Sequence, residues 1–127
     1  MWLVCRERST RIVRILISVR PRMYREMIAR ALREHRPSAD EVLTADPARL
    51  DFETRGLAPH LVVCNRATGA VREVAHSWVE LGVRPGPGGV DANMKLDGRP
   101  LSRVEQAEIG DVLAALDETE RMLRQAQ

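Results

Sequence analysis

Aromatic side chains are almost missing from this chain: Trp2, Tyr24, Phe52 and Trp78 are the four in 127 residues. That disfavours nucleic-acid modules that stack successive bases on an aromatic platform, and it obliges the core to be aliphatic. Cysteine is as sparse, with Cys5 and Cys64 alone, too few for a disulfide framework. Cys64 sits inside an apolar run, where a buried and inert thiol is the default. No stretch reaches the roughly 18 consecutive apolar residues of a membrane span. The opening Met-Trp-Leu-Val-Cys carries its arginines after the apolar residues and not before them, unlike a secretory signal. A cytoplasmic protein with no membrane contact is expected. Lysine occurs once, as Lys95, against nineteen arginines, a bias that GC-rich codons explain more simply than selection for bidentate anion binding.

What is present suits one globular domain: 44% hydrophobic and 30% charged residues in a length that supports one core. The net charge of +2 conceals an asymmetry, because residues 1–36 hold ten arginines and three acids while the remainder holds ten basic and fifteen acidic side chains. Residues 1–10 read as an N-terminal arm and 11–127 as the domain. The β-branched run Ile12 to Val19 predicts a strand buried on both faces. Pro21 opens a helix in which Tyr24, Ile28, Ala31, Leu32 and His35 recur at helical spacing until Pro37, with Arg22, Arg25, Arg33 and Arg36 on its other face. A strand over 41–45 follows, then a brief helical turn over 48–52 opened by Asp46-Pro47, then an apolar strand at Leu61 to Cys64. Strand and helix alternating in this order predict a parallel sheet. After a short helix within 67–76, two alternating strands, 78–83 and 90–96, flank Arg84 to Gly89. Six residues cannot make a parallel crossover, so the two pair as an antiparallel hairpin. Ser102 with Glu105 reads as a capping box for a last helix with the stripe Ile109, Val112, Leu113, Leu116 and Leu123.

The segments Arg14-Ile15-Leu16-Ile17-Ser18-Val19-Arg20-Pro21-Arg22-Met23-Tyr24-Arg25-Glu26 and Pro59-His60-Leu61-Val62-Val63-Cys64-Asn65 together resemble the receiver domain of bacterial response regulators. There, a strand ending in two acids runs into a Pro-led helix, and a Pro-Asp-Leu-hydrophobic run ends in the phosphorylated Asp. The resemblance is good from Arg11 to Asn65 and loose beyond. It implies a three-layer α/β fold of the flavodoxin and receiver type with strand order 2-1-3; beyond Asn65 the chain departs from the family in length, continuing into the hairpin with at least one crossover helix missing and ending in a C-terminal helix. It also implies that Val19 and Arg20 stand where the family has its magnesium-binding acids, and Asn65 where it has its phosphoacceptor. A carboxamide is not the nucleophile for an acyl phosphate, and valine and arginine offer a magnesium ion no oxygen ligands. The family's lysine falls at Leu96, one place from Lys95, which alternation turns to the opposite face.

Other constellations are weaker. The glycine-rich turn joins two strands, whereas a phosphate loop leads from a strand into a helix, and the junction Val19-Arg20-Pro21-Arg22 has no glycine for a dinucleotide fingerprint. His35, His60, His76 and Cys64 lack ligand spacing, and Ser18 lacks a nucleophile turn that would pair it with His60 or His76. No catalytic residue, metal or cofactor is therefore expected. The expected function is a non-catalytic receiver-like domain acting through protein–protein contacts in bacterial signalling or transcription regulation, with a partner or with a second copy as a homodimer. The alternative is nucleic-acid binding by the arginines of the N-terminal third. Trp78 is the candidate interface anchor, unless it packs under the short helix of 67–76.

Overall fold

A computed structural model describes residues 12–35, 40–83, 89–96 and 99–125. The expected arm at 1–10 and the turn at 84–88 lie outside the described residues. Six strands form one sheet: β1 (Val13–Ser18), β2 (Asp40–Thr44), β3 (Leu61–Cys64), β4 (Ser77–Val83), β5 (Val90–Lys95) and β6 (Ser102–Val104). Their order is β2-β1-β3-β4-β5-β6, with β2, β1, β3 and β4 parallel and β5 and β6 antiparallel to their neighbours. The helices are α1 (Arg22–His35), α2 (Leu50–Leu57, entered through a 3-10 turn at Pro47–Arg49), α3 (Gly69–Val74) and α4 (Ile109–Gln125). This is a flavodoxin-like α/β fold whose fourth crossover is replaced by the β4–β5 hairpin.

Period-2 alternation sorts the strands between two cores. Val13, Ile15, Ile17 and Val19 face α1 and α4, where they meet Ile28, Leu32, Val112 and Leu116. Leu16, Val62 and Cys64 face the other way, onto Leu50, Val71 and Ala75 of the α2–α3 layer. The hairpin sends Val79, Leu81, Ala92 and Met94 into the first core, as its alternation predicts. In the C-terminal stripe Val112, Leu116 and Leu123 are buried and Leu113 packs at the margin, whereas Ile109 is exposed.

Three expectations need correction. Residues 102–104 are a strand against Ala92 to Met94 and not the start of a helix. The last helix begins at Ile109, and Ser102 and Glu105 do not cap it: Asp111 Oδ2 accepts from the Glu108 amide at 2.7 Å at its start. The turn at 48–52 extends to Leu57, because Leu50 and Thr54 supply a buried stripe at helical spacing.

Candidate functional site

Parallel strands of this fold open a crevice beyond their carboxyl ends, where adjacent chains diverge toward helices on opposite faces. Here it lies beyond β1 and β3, whose last residues, Ser18 and Cys64, are register partners. The crevice has a volume of about 280 Å³ and is lined by Ser18, Arg20, Asn65, Arg66 and Thr68, with Pro47, Ala48 and Leu50 as its apolar side.

Asn65, the residue that follows β3, is a staple. Its Oδ1 accepts from the Arg20 amide at 2.8 Å, while Nδ2 donates to the Leu81 carbonyl at 3.1 Å and reaches the Arg20 carbonyl at 3.5 Å. One carboxamide thus ties the ends of β1, β3 and β4 together, a task that needs donor and acceptor on the same side chain. Val19 is 0% exposed and packs in the first core, so it is withdrawn from the crevice that Arg20 lines. The Arg20–Pro21 peptide bond at this junction is cis.

Acidic groups around the crevice are already engaged. Asp46 Oδ1 accepts from the Ala48 amide at 2.9 Å, Glu80 from the Ala67 amide at 2.7 Å, and Asp51 from the Thr68 hydroxyl at 2.6 Å. Neither the Arg20 nor the Arg66 guanidinium is paired with a carboxylate among the described residues. Ser18 is 1% exposed, and its Oγ has no hydrogen-bond partner among the described residues. Arg66 was legible in one respect only: it stands two residues past the end of β3, as Arg20 stands two past the end of β1.

The arginine face of α1 does not stay together as a surface. Ala29, one turn from both Arg25 and Arg33, is buried, so this flank turns toward the outer strand β2. Arg25 donates to the Ala45 carbonyl at 3.2 Å and Arg33 to the Val42 carbonyl at 3.0 Å. Arg22 pairs with Glu26 on its own helix at 2.8 Å, and Arg36 lies outside the described residues. Edge-strand carbonyls thus take up charge that the helical wheel alone leaves to solvent.

Trp78 is half-buried against the α2–α3 layer with Val71 and Ala75, the packing that its alternative reading expects. Lys95 donates its amine to the Arg99 carbonyl, and Leu96 packs beside the first core. His60 is buried at the amino end of β3, with Nδ1 accepting from the Arg14 amide at 2.9 Å and its ring edge-on to His76 at 5.4 Å. It is thus at the opposite end of the sheet from Ser18, and His35 bonds Asp117 across α1 and α4 at 3.1 Å. Among the described residues no three His, Cys, Asp or Glu side chains gather as a metal site, and no helix is long and apolar enough to cross a membrane. A second hollow of about 290 Å³, lined by Tyr24, Met27, Leu81, Val90, Ile109 and Val112 among others, lies where α1 and the start of α4 part over the hairpin.

No protein-family model matches the chain, and no curated protein sequence does. Among solved structures, a methionyl-tRNA formyltransferase from Clostridium thermocellum is similar at 12% identity and a TM-score of 0.46, over 87% of this chain and 63% of the formyltransferase. The chain spans less than two thirds of that enzyme, and the likeness concerns the α/β fold alone.

Proposed function

We propose that the chain is a non-catalytic receiver-like domain that acts through protein contacts, with itself or with a partner in bacterial signalling or transcription regulation. The observation that carries this reading is the use made of Asn65. At the position where the resembling family carries its phosphoacceptor, both ends of the carboxamide serve backbone groups of β1 and β4. The neighbouring acid positions hold a core valine and an arginine, so the crevice has neither the nucleophile nor the oxygen ligands for phosphoryl transfer through a metal. Support for contacts over nucleic acid comes from α1, where Arg25 and Arg33 are spent on β2 while Met23 and Met27 are exposed at 70% and 52%.

Two measurements on the full chain test the proposal. Incubation with a small acyl phosphate and magnesium is expected to leave the intact mass unchanged, and sedimentation with co-purification from the native cell is expected to find a dimer or a stoichiometric protein partner. A phosphoryl group that is added and then lost in mild base overturns the non-catalytic reading. A chain that stays monomeric at tens of micromolar and purifies without a partner overturns the contact reading.

A further inference from the structure

The crevice beside Asn65 is lined by two arginines and by no carboxylate. Arg20 and Arg66 rise from loops that leave adjacent strands at matching positions, two residues past the register pair Ser18 and Cys64. The Arg20 amide donates to Asn65 Oδ1 at 2.8 Å, which ties the two loops together where they leave the sheet. Both side chains line the crevice, and neither guanidinium has a carboxylate partner among the described residues, so both are available to an anion there. The nearby acids are bonded elsewhere and not to either guanidinium: Asp46 and Glu80 accept from backbone amides and Asp51 from the Thr68 hydroxyl.

Ser18 is an independent observation that points the same way. It lies on the α2–α3 side of β1, opposite in sense to Ile17 and Val19, and lines the crevice. Its hydroxyl is buried without a hydrogen-bond partner among the described residues. Leaving such a group unsatisfied costs about 1–3 kcal/mol, and an alanine would fill the same position without that cost. A hydroxyl kept there makes sense as a donor to something that enters the crevice. At about 280 Å³ the space falls just below the roughly 300–1,000 Å³ of drug-sized sites, so the occupant is small.

We propose that this crevice is a non-covalent binding site for a phosphate group, gripped by the guanidinium groups of Arg20 and Arg66 and by the Ser18 hydroxyl, with Pro47, Ala48 and Leu50 beside it for a small organic body. Guanidinium forks match phosphate oxygens in a way that a magnesium site, which needs oxygen ligands, does not. The site goes beyond the reading of the chain as a contact domain and does not depend on it: phosphate can bind whether or not a protein partner exists.

The test is titration of the full chain with inorganic phosphate, followed by amide NMR at an ionic strength held constant with chloride. Saturable shifts at Ser18, Arg20 and Arg66 are expected. Arg20→Gln and Arg66→Gln should each weaken binding by about tenfold, the usual weight of one charge-assisted contact. Ser18→Ala should also weaken it while leaving the melting temperature unchanged or higher, a combination that a purely structural serine would not produce. Phenyl phosphate separates the sources: tighter binding than inorganic phosphate assigns the site to a phosphomonoester, and equal binding to free phosphate. Shifts that do not saturate, or saturable binding untouched by both arginine substitutions, overturn the proposal.

Discussion

Cys64 shows how far a single residue can be read before its neighbours are known. An apolar run places it in the core, and it is fully buried, with burial pushing its thiol up to about 12, helped by the Glu80 carboxylate. A group whose acid form is favoured by folding contributes stability that is present below its ordinary value of 9.0 and is lost as pH rises from there toward about 12, because the unfolded chain ionises first. In a Cys5→Ser background, the remaining thiol is expected to resist a disulfide reagent at pH 8 in the native state and to react fully in guanidinium. The loss of stability between about pH 9 and 12 should be shallower in Cys64→Ala, by up to about 1.4 kcal/mol per pH unit. Rapid native reaction would show that the thiol is not where the core places it. Asn65 is the contrasting case. Its position at a strand end was legible, but its backbone partners, the amide and carbonyl of Arg20 past β1 and the carbonyl of Leu81 in β4, meet only once the sheet has formed, so the staple could not be read from sequence.

At the scale of elements, the strongly periodic ones were legible and the short or polar ones were not. The central strands and α1 carry apolar runs and stripes that leave one assignment open. β6 has three residues and a single apolar side chain, Val104, so it has no period to detect; it exists because β5 offers an edge. α2 outruns its sequence signal because its outward face includes Phe52, 70% exposed under the Arg49 guanidinium at 4.8 Å, while a threonine, Thr54, takes a core place. Its end carries a testable strain. Ala58 terminates the helix in the left-handed region at φ 51°, with its amide donating to the Thr54 carbonyl at 2.9 Å and its carbonyl accepting from Arg14. Glycine adopts that conformation without a Cβ clash, which costs an L-residue roughly 1–2 kcal/mol. Ala58→Gly is therefore expected to stabilise the protein by about 1 kcal/mol in urea unfolding, after the entropy that glycine returns to the unfolded chain. A destabilised variant would mean that the Arg14 contact relies on the alanine.

On the scale of the whole molecule the two helical layers are unequal, and Trp78 belongs to that imbalance. α1 and α4 cover one face with long helices, whereas α2 and α3 together reach only the β1–β3 side and the near edge of β4. The remainder of that second face is polar: Glu80 and Asn93 are register partners, and Asp91 holds Arg103 at 2.8 Å. Such a polar surface does not need a helix to cover it. Trp78 sits at the boundary, opposite Lys95 and packed with Val71 and Ala75, where it extends a layer that short helices leave thin. Its truncation should then act on folding before association. Trp78→Ala is expected to cost about 3 kcal/mol, near the lower end for removing a large aromatic from a packed position because the ring is only half-buried. Urea unfolding measures that loss, and sedimentation of the same variant should give the wild-type distribution of species. If the substitution leaves the unfolding midpoint in place but shifts the sedimentation toward monomer, the ring is an interface anchor and the second layer stands without it.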